Sequence, residues 1–187
     1  MHNATKFCLM LLLAPACNEK DEGPSATATL IGLNGSGVSG TIRLTTKGDE
    51  VHVDADVYGL TPGMHGMHIH EYGDCTSPDG ESAGPHFNPV KHQHGSPGEA
   101  SHPGDLGNIE ADAEGRARLA LDVSQITVDS ESLGIVGRAV IVHAMADDLA
   151  SQPAGNSGTR LACGVIRINA GQTVPVVMPE GAEQASD

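Results

Sequence analysis

The sequence predicts a single all-β domain, and three observations carry that expectation. The chain has 187 residues, room for one domain with a real core and too few for two once its front end is set aside. Aromatic residues make up 2% of it, with no Trp, so the core is drawn from Val, Ile, Leu and Ala, a supply that suits pleated sheets. Glycine (24) and proline (11) are spread along the chain, as many short strands joined by turns require, and helix signals are scarce.

Residues 1–17, MHNATKFCLMLLLAPAC, hold one Lys, the apolar run Phe7 to Leu13 and a small-residue stretch, which resembles an export signal and is too short to span a membrane. Cys17 sits where a bacterial lipoprotein signal carries its lipidated cysteine, although Ala14 stands where that motif has Leu. The expectation is an exported protein of the periplasm or cell envelope, with a membrane tether through Cys17. Residues 18–26 are polar and read as a short linker, and residues 27–170 as the domain. From Thr27 the pattern gives ATLIGL, a turn at Gly35 to Gly37, SGTIRLTT, a turn at Lys47 to Asp49, and EVHVDADVYGL. In the last of these Val51, Val53, Ala55 and Val57 alternate with polar residues, so three strands follow in hairpin succession and His52 falls on the solvated face. Thr61 to Gly63 turn the chain into the strand MHIHEY. After a long unpatterned stretch come a weak strand signal at GNIEAD, then RARLALDV, GRAVIVHAM and, beyond a second loop from Asp147 to Thr159, RLACGVIRI. Residues 171–187 read as a loose acidic tail.

The net charge is −14, from 24 acidic and 10 basic residues, which argues against nucleic acid or an anionic membrane surface as partner. An anionic small substrate would need a local positive site. Ten histidines against two Phe and two Tyr point instead to metal, since imidazole is its commonest protein ligand. Cys8 lies in the leader and Cys17 at its end, which leaves Cys75 and Cys163; in an exported chain these two are expected to be bridged.

In MHIHEY, His68 and His70 share one face of the strand and Ile69 takes the other. Two imidazoles at that spacing grip one ion or sit in solvent, and the pair alone leaves both open. From Asp74 to Gly107 no pattern survives, and compact domains rarely carry so long a loop without a job. That loop holds His86, His92, His94 and His102, with Asp105 three residues after the last. Three imidazoles and one carboxylate make a normal closed Zn²⁺ environment, which would hold the loop as a core would.

The blocks GMHGMHIHEYGDCTS, SAGPHFNP, HPGDLGNIEAD, GRAVIVHAMADDL and GTRLACGVI resemble, in order, the motifs of the copper/zinc superoxide dismutase family, over about residues 27 to 168; the leader makes this look like an exported bacterial-type member with eukaryote-like site motifs. The resemblance implies an eight-stranded antiparallel Greek-key β-barrel of immunoglobulin-like sandwich architecture with two long functional loops. It implies copper on His68, His70, His86 and His143, and zinc on His86, His94, His102 and Asp105, with His86 shared. Four nitrogens suit Cu(II), and a mixed nitrogen and oxygen tetrahedron suits Zn(II). By the same resemblance His65 is structural, His94 and not His92 is the zinc ligand, and Asp147 links a copper histidine to a zinc histidine. Arg160 would guide the substrate, and His86 would be released and reprotonated in each cycle. The implied reaction is dismutation of superoxide to oxygen and hydrogen peroxide. Arg43, Arg116 and Arg118 read as solvated strand residues.

Two departures stand out. The loop DLASQPAGNSG lacks the Lys and Glu residues credited with steering superoxide in eukaryotic cytosolic members, and Arg167 replaces a small residue near the dimer contact of many relatives, so homodimerisation stays open. The rival readings are an exported copper/zinc-binding protein without dismutase activity, which would typically lack copper ligands or the arginine, and a zinc hydrolase, which needs an open zinc position.

Overall fold

The computed structural model describes residues 23–98, 100–129 and 132–172. The proposed leader with Cys17, most of the linker and the tail beyond Gln172 lie outside the described residues. Eight strands follow in chain order: β1 (Ser25–Gly32), β2 (Ser39–Lys47), β3 (Glu50–Tyr58), β4 (Gly63–His70), β5 (Asp105–Ala111), β6 (Arg116–Val123), β7 (Ala139–His143) and β8 (Arg160–Ile168). They close into one antiparallel barrel in the order β1-β2-β3-β6-β5-β4-β7-β8, sealed where β8 pairs with β1. The links β3 to β4 and β6 to β7 each skip two strands, which is the Greek-key crossover the motifs imply.

Alternation decides what the barrel encloses. Ala26, Ala28 and Leu30 of β1, Ile42 and Leu44 of β2, Val51, Val53, Ala55 and Val57 of β3, and Met67 and Ile69 of β4 all point into one buried cluster, because successive residues of a strand face opposite sides. β7 departs from the half-solvated pattern: all five of its residues are buried. Val140 and Val142 join the interior, while Ala139 and Ile141 join a second cluster with Leu33, Ala83 and Cys163 on the outer face. Loops cover that outer face, and the site lies there.

The weak signal at GNIEAD is β5, and it begins inside the histidine loop at Asp105. Two positions assigned to the linker belong to the sheet. Ser25 and Ala26 pair with Thr45 and Leu44 of β2, Ala26 also pairs with Ile168, and Ala26 is fully buried. On the solvated face of β3, His52 Nδ1 lies 2.6 Å from Asp122 Oδ1 on the neighbouring strand. Arg118 and Arg116 are exposed and pair with Asp56 and Asp112, and Arg43 and Arg167 are exposed as well.

Candidate metal centre

Strand register brings the first histidines together. His68 and His70 of β4 pair with Ile141 and Ala139 of β7, so both imidazoles stand on the outer face, and His143 reaches the same face at the end of β7 beside a register shift. His86 arrives from the loop. Its neighbour Phe87 is fully buried in the barrel core, and the loop backbone pairs with β4 and with itself through Phe87 N–H to Ile69 O and Gly104 N–H to Phe87 O, at 2.8 and 3.0 Å. Phe87 therefore acts as an anchor that sets His86 against the strand, its ring 4.0 Å from that of His68 centre to centre.

Two groups of donor atoms result, each spanning no more than 4.8 Å: His68, His70, His86 and His143, and His86, His94, His102 and Asp105. Every one of these residues is buried. His86 belongs to both groups, with Nδ1 2.9 Å from Asp105 Oδ1 and Nε2 on the other side of its ring. A third set, His68, His94 and Asp147, lies between them.

The outer ring nitrogens are tied down. His68 Nε2–H donates to Asp147 Oδ2 and His94 Nε2–H to Asp147 Oδ1, both at 2.8 Å. His70 Nδ1–H donates to Gly84 O at 2.8 Å and His143 Nδ1–H to Gly158 O at 3.1 Å. A neutral imidazole that donates from one nitrogen presents a lone pair at the other. Those lone pairs fall on His68 Nδ1, His70 Nε2, His143 Nε2 and His94 Nδ1, which together with His86 Nε2 and His102 Nδ1 are buried without a hydrogen-bond partner among the described residues. His94 Nδ1 and His102 Nδ1 lie 3.1 and 3.2 Å from the Asp105 carboxylate, out of line for a hydrogen bond. Convergent buried lone pairs with no donor facing them are costly unless a cation takes them. Two adjacent cations sharing His86 fit the donor set: nitrogens alone in one group, nitrogens with a carboxylate oxygen in the other.

The electrostatics agree with neutral ligands. Burial, and next the neighbouring His86, hold His68 and His70 well below the usual imidazole range. Burial brings His143 down to about 4 and lowers His102. Burial acts to raise Asp105, but the His86 hydrogen bond and the charges of His102, His86 and His94 outweigh it, so the carboxyl ends below its ordinary value.

Asp147 is itself held at its backbone: Asn108 Nδ2 donates to Asp147 O at 2.9 Å and Asp147 N–H to Asn108 Oδ1 at 2.7 Å. His65 stays outside both groups, with Nδ1 2.8 Å from His143 O and Nε2 2.8 Å from Thr61 O, a structural tie as expected. His92 lies outside both groups, its Nδ1 against Ser101 O at 3.1 Å, whereas His94 lies within one of them. The bridge Cys75–Cys163 is present, with a Cα–Cα distance of 5.7 Å.

A cleft of about 970 Å³ leads from solvent to His70, His86 and His143, with Arg160 in its wall. Arg160 donates from Nη1 to Gly80 O at 2.6 Å and from Nη2 to Gly84 O at 2.9 Å. Gly84 O thus serves both the guanidinium and His70. Sequence reasoning missed Asn108, Gln152 and the carbonyls of Gly84 and Gly158; the carbonyls leave no side-chain signal, and the amides sit among ordinary loop and strand residues.

The family model described as copper/zinc superoxide dismutase matches residues 38–166. The chain is 43% identical over 157 residues to a Cu-Zn superoxide dismutase of Onchocerca volvulus, covering 78% of this chain and 98% of that one. It is 40% identical over 156 residues to an extracellular Cu-Zn superoxide dismutase of Brugia pahangi, covering 78% and 77%, and 42% identical over 153 residues to Cu-Zn superoxide dismutase 2 of Mesembryanthemum crystallinum, covering 78% and 96%.

Proposed function

We infer the roles of single residues from one premise: the chain belongs to the copper/zinc superoxide dismutase family. It is an oxidoreductase that converts two superoxide anions and two protons to oxygen and hydrogen peroxide, with copper and zinc as cofactors. Bound copper supplies one-electron chemistry between Cu(II) and Cu(I), and zinc supplies charge and a template without redox. The residues that would hold copper are His68, through Nδ1, and His70, His86 and His143, through Nε2. Those that would hold zinc are His86, His94, His102 and Asp105. The observation that carries this assignment is the convergence of buried, unpartnered ring nitrogens into two groups that share one histidine.

The chain's own residues then divide the work. Asp147, Gly84 O and Gly158 O fix the tautomers of His68, His94, His70 and His143, so each ring keeps its lone pair inward. Arg160, held on two carbonyls, offers the local positive charge an anionic substrate needs on a chain of net charge −14. The single lone pair of His86 Nε2 would take either copper or a proton, and when protonated it would supply one of the two protons that hydrogen peroxide requires. The other nitrogen of that ring stays beside Asp105.

Residues 1–17 act as an export signal of lipoprotein type, with the lipid on Cys17 and the domain held in the periplasm or cell envelope; the apolar run Phe7 to Leu13 and the similarity to an extracellular superoxide dismutase of Brugia pahangi support export. Metabolic labelling with a radioactive fatty acid tests the anchor, with label expected in wild type and absent from Cys17→Ser. Light scattering of the purified domain decides between monomer and homodimer. The site assignment is tested by metal content and dismutation rate of single variants. His143→Ala is expected to lose copper and activity while keeping zinc, and His102→Ala to lose zinc first. Full copper occupancy and rate in His143→Ala would overturn the assignment.

A further inference from the structure

The second loop is fastened to His94 at its backbone as well as at its ring. The Gln152 carboxamide meets the His94 backbone in both directions: Oε1 accepts from His94 N–H and Nε2 donates to His94 O, each at 2.9 Å, the reciprocal pairing that neighbouring strands make. Gln152 Nε2 also reaches Ala150 O at 3.2 Å. Three residues on, Gly155 runs directly over the Asp147–His94 hydrogen bond. A Cβ there would collide with Asp147 Oδ1 and stand 2.5 Å from His94 Nε2, at φ +63, so only glycine lets the loop lie this close. The loop is internally braced, since Asp148 accepts from Ala150 N–H, Ser151 N–H and Asn156 Nδ2. It therefore sits on the site as a formed cap.

We propose that Gln152 is a positioning residue for the second metal, a latch that holds His94 in place and couples zinc to the order of residues 148–159. The inference rests on the assignment of His86, His94, His102 and Asp105 to zinc. His68, His70 and His143 stand on strands β4 and β7, whose ladders hold their backbones, whereas His94 lies in a loop outside every strand. The latch consequently acts on zinc. Coupling is reciprocal: zinc orders the cap, and opening the cap weakens zinc. Because Gln152, Pro153, Ala154 and Asn156 also line the cleft to Arg160, zinc shapes the substrate's entrance through this contact.

The test uses the full chain, stripped of metal, with zinc alone in competition with a chelator, and hydrogen exchange of residues 148–159 with and without zinc. Gln152→Ala and the near-isosteric Gln152→Met are expected to weaken zinc about tenfold and to speed exchange in the loop, with the melting temperature of the metal-free barrel unchanged. Zinc affinity within twofold of wild type in both variants overturns the latch, as does a loss of zinc that merely tracks a lower melting temperature. His94→Ala separates the two claims. If it loses zinc while the Gln152 variants keep it, only the latch fails; if it binds zinc as wild type does, the assignment of His94 fails and the latch with it.

Discussion

Replacing Asp147 by Ala removes the carboxylate that ties a histidine of one metal group, His68, to a histidine of the other, His94. Its carboxylate is fully buried and accepts from His68 Nε2–H and His94 Nε2–H at 2.8 Å each, and from Leu149 N–H at 2.7 Å. Truncation strands two buried imidazole donors at about 1–3 kcal/mol apiece, so the metal-free protein loses about 2–6 kcal/mol. Metal binding suffers unequally. His68 is held by the ladder of β4 against β7, but His94 stands in a loop whose backbone is held by Gln152, so zinc affinity is expected to fall about 10–100-fold and copper affinity by less than about tenfold. Asp147→Asn is not expected to rescue zinc. A carboxamide accepts from one ring and turns an N–H toward the other, and a ring facing that N–H must move its own proton to the nitrogen meant for the ion. Chelator competition with each metal separately, on wild type, Asp147→Ala and Asp147→Asn, measures the effect. Wild-type zinc affinity in Asp147→Asn, or a greater loss of copper than of zinc in Asp147→Ala, would refute the reasoning.

Other outcomes follow from the same geometry. Burial holds His143 at about 4 in the folded protein against about 6.5 unfolded, so the metal-free unfolded chain takes up a proton that the folded one refuses. Stability is then lost as pH falls from about 6.5 toward 4, by about 2 kcal/mol between pH 7 and pH 5 for His143 alone, and His68 and His70 shift in the same direction; a urea midpoint in chelator that stays flat over this range speaks against the neutral buried cluster. Arg160→Ala is expected to slow the bimolecular rate severalfold, about 3–10-fold at low salt, and an unchanged rate rejects its guiding role. Reduction of Cys75–Cys163, which spans 88 residues, should lower stability by about 4 kcal/mol in the chain-entropy account, read as a shift in denaturant midpoint; no shift contradicts it.

Much of the barrel was legible because alternation is a local signal. The Val51, Val53, Ala55, Val57 series and RLACGVIRI each appear as strands where the pattern put them. β5 was faint for a physical reason: it starts inside the histidine loop at Asp105, has Gly107 at φ 77, and meets β6 through the single pair Ala111 and Ala117. The start of β1 was missed because Ser25 and Ala26 share the composition of the polar stretch before them, and only pairing across the closed barrel reveals Ala26 as core. At the site, one-face placement of His68 and His70 followed from strand period alone. Spacing from His86 favours His94 over His92, but both lie in a loop and the sequence carries no sign of what orients either ring; Asn88 holds His92 N–H and O, and the His92 ring faces Ser101 O. Gln152 was invisible, because an amide in a polar loop acquires meaning only when the fold brings a distant backbone against it.

The most direct measurement is anomalous diffraction from crystals of the metal-loaded protein, recorded at the copper and zinc absorption edges. Two separate peaks are predicted, copper bounded by His68 Nδ1, His70 Nε2 and His143 Nε2, and zinc by His94, His102 and Asp105, with the His86 ring between them. A single peak, or two peaks of which one leaves His86 untouched, would contradict the shared-histidine centre on which the function rests.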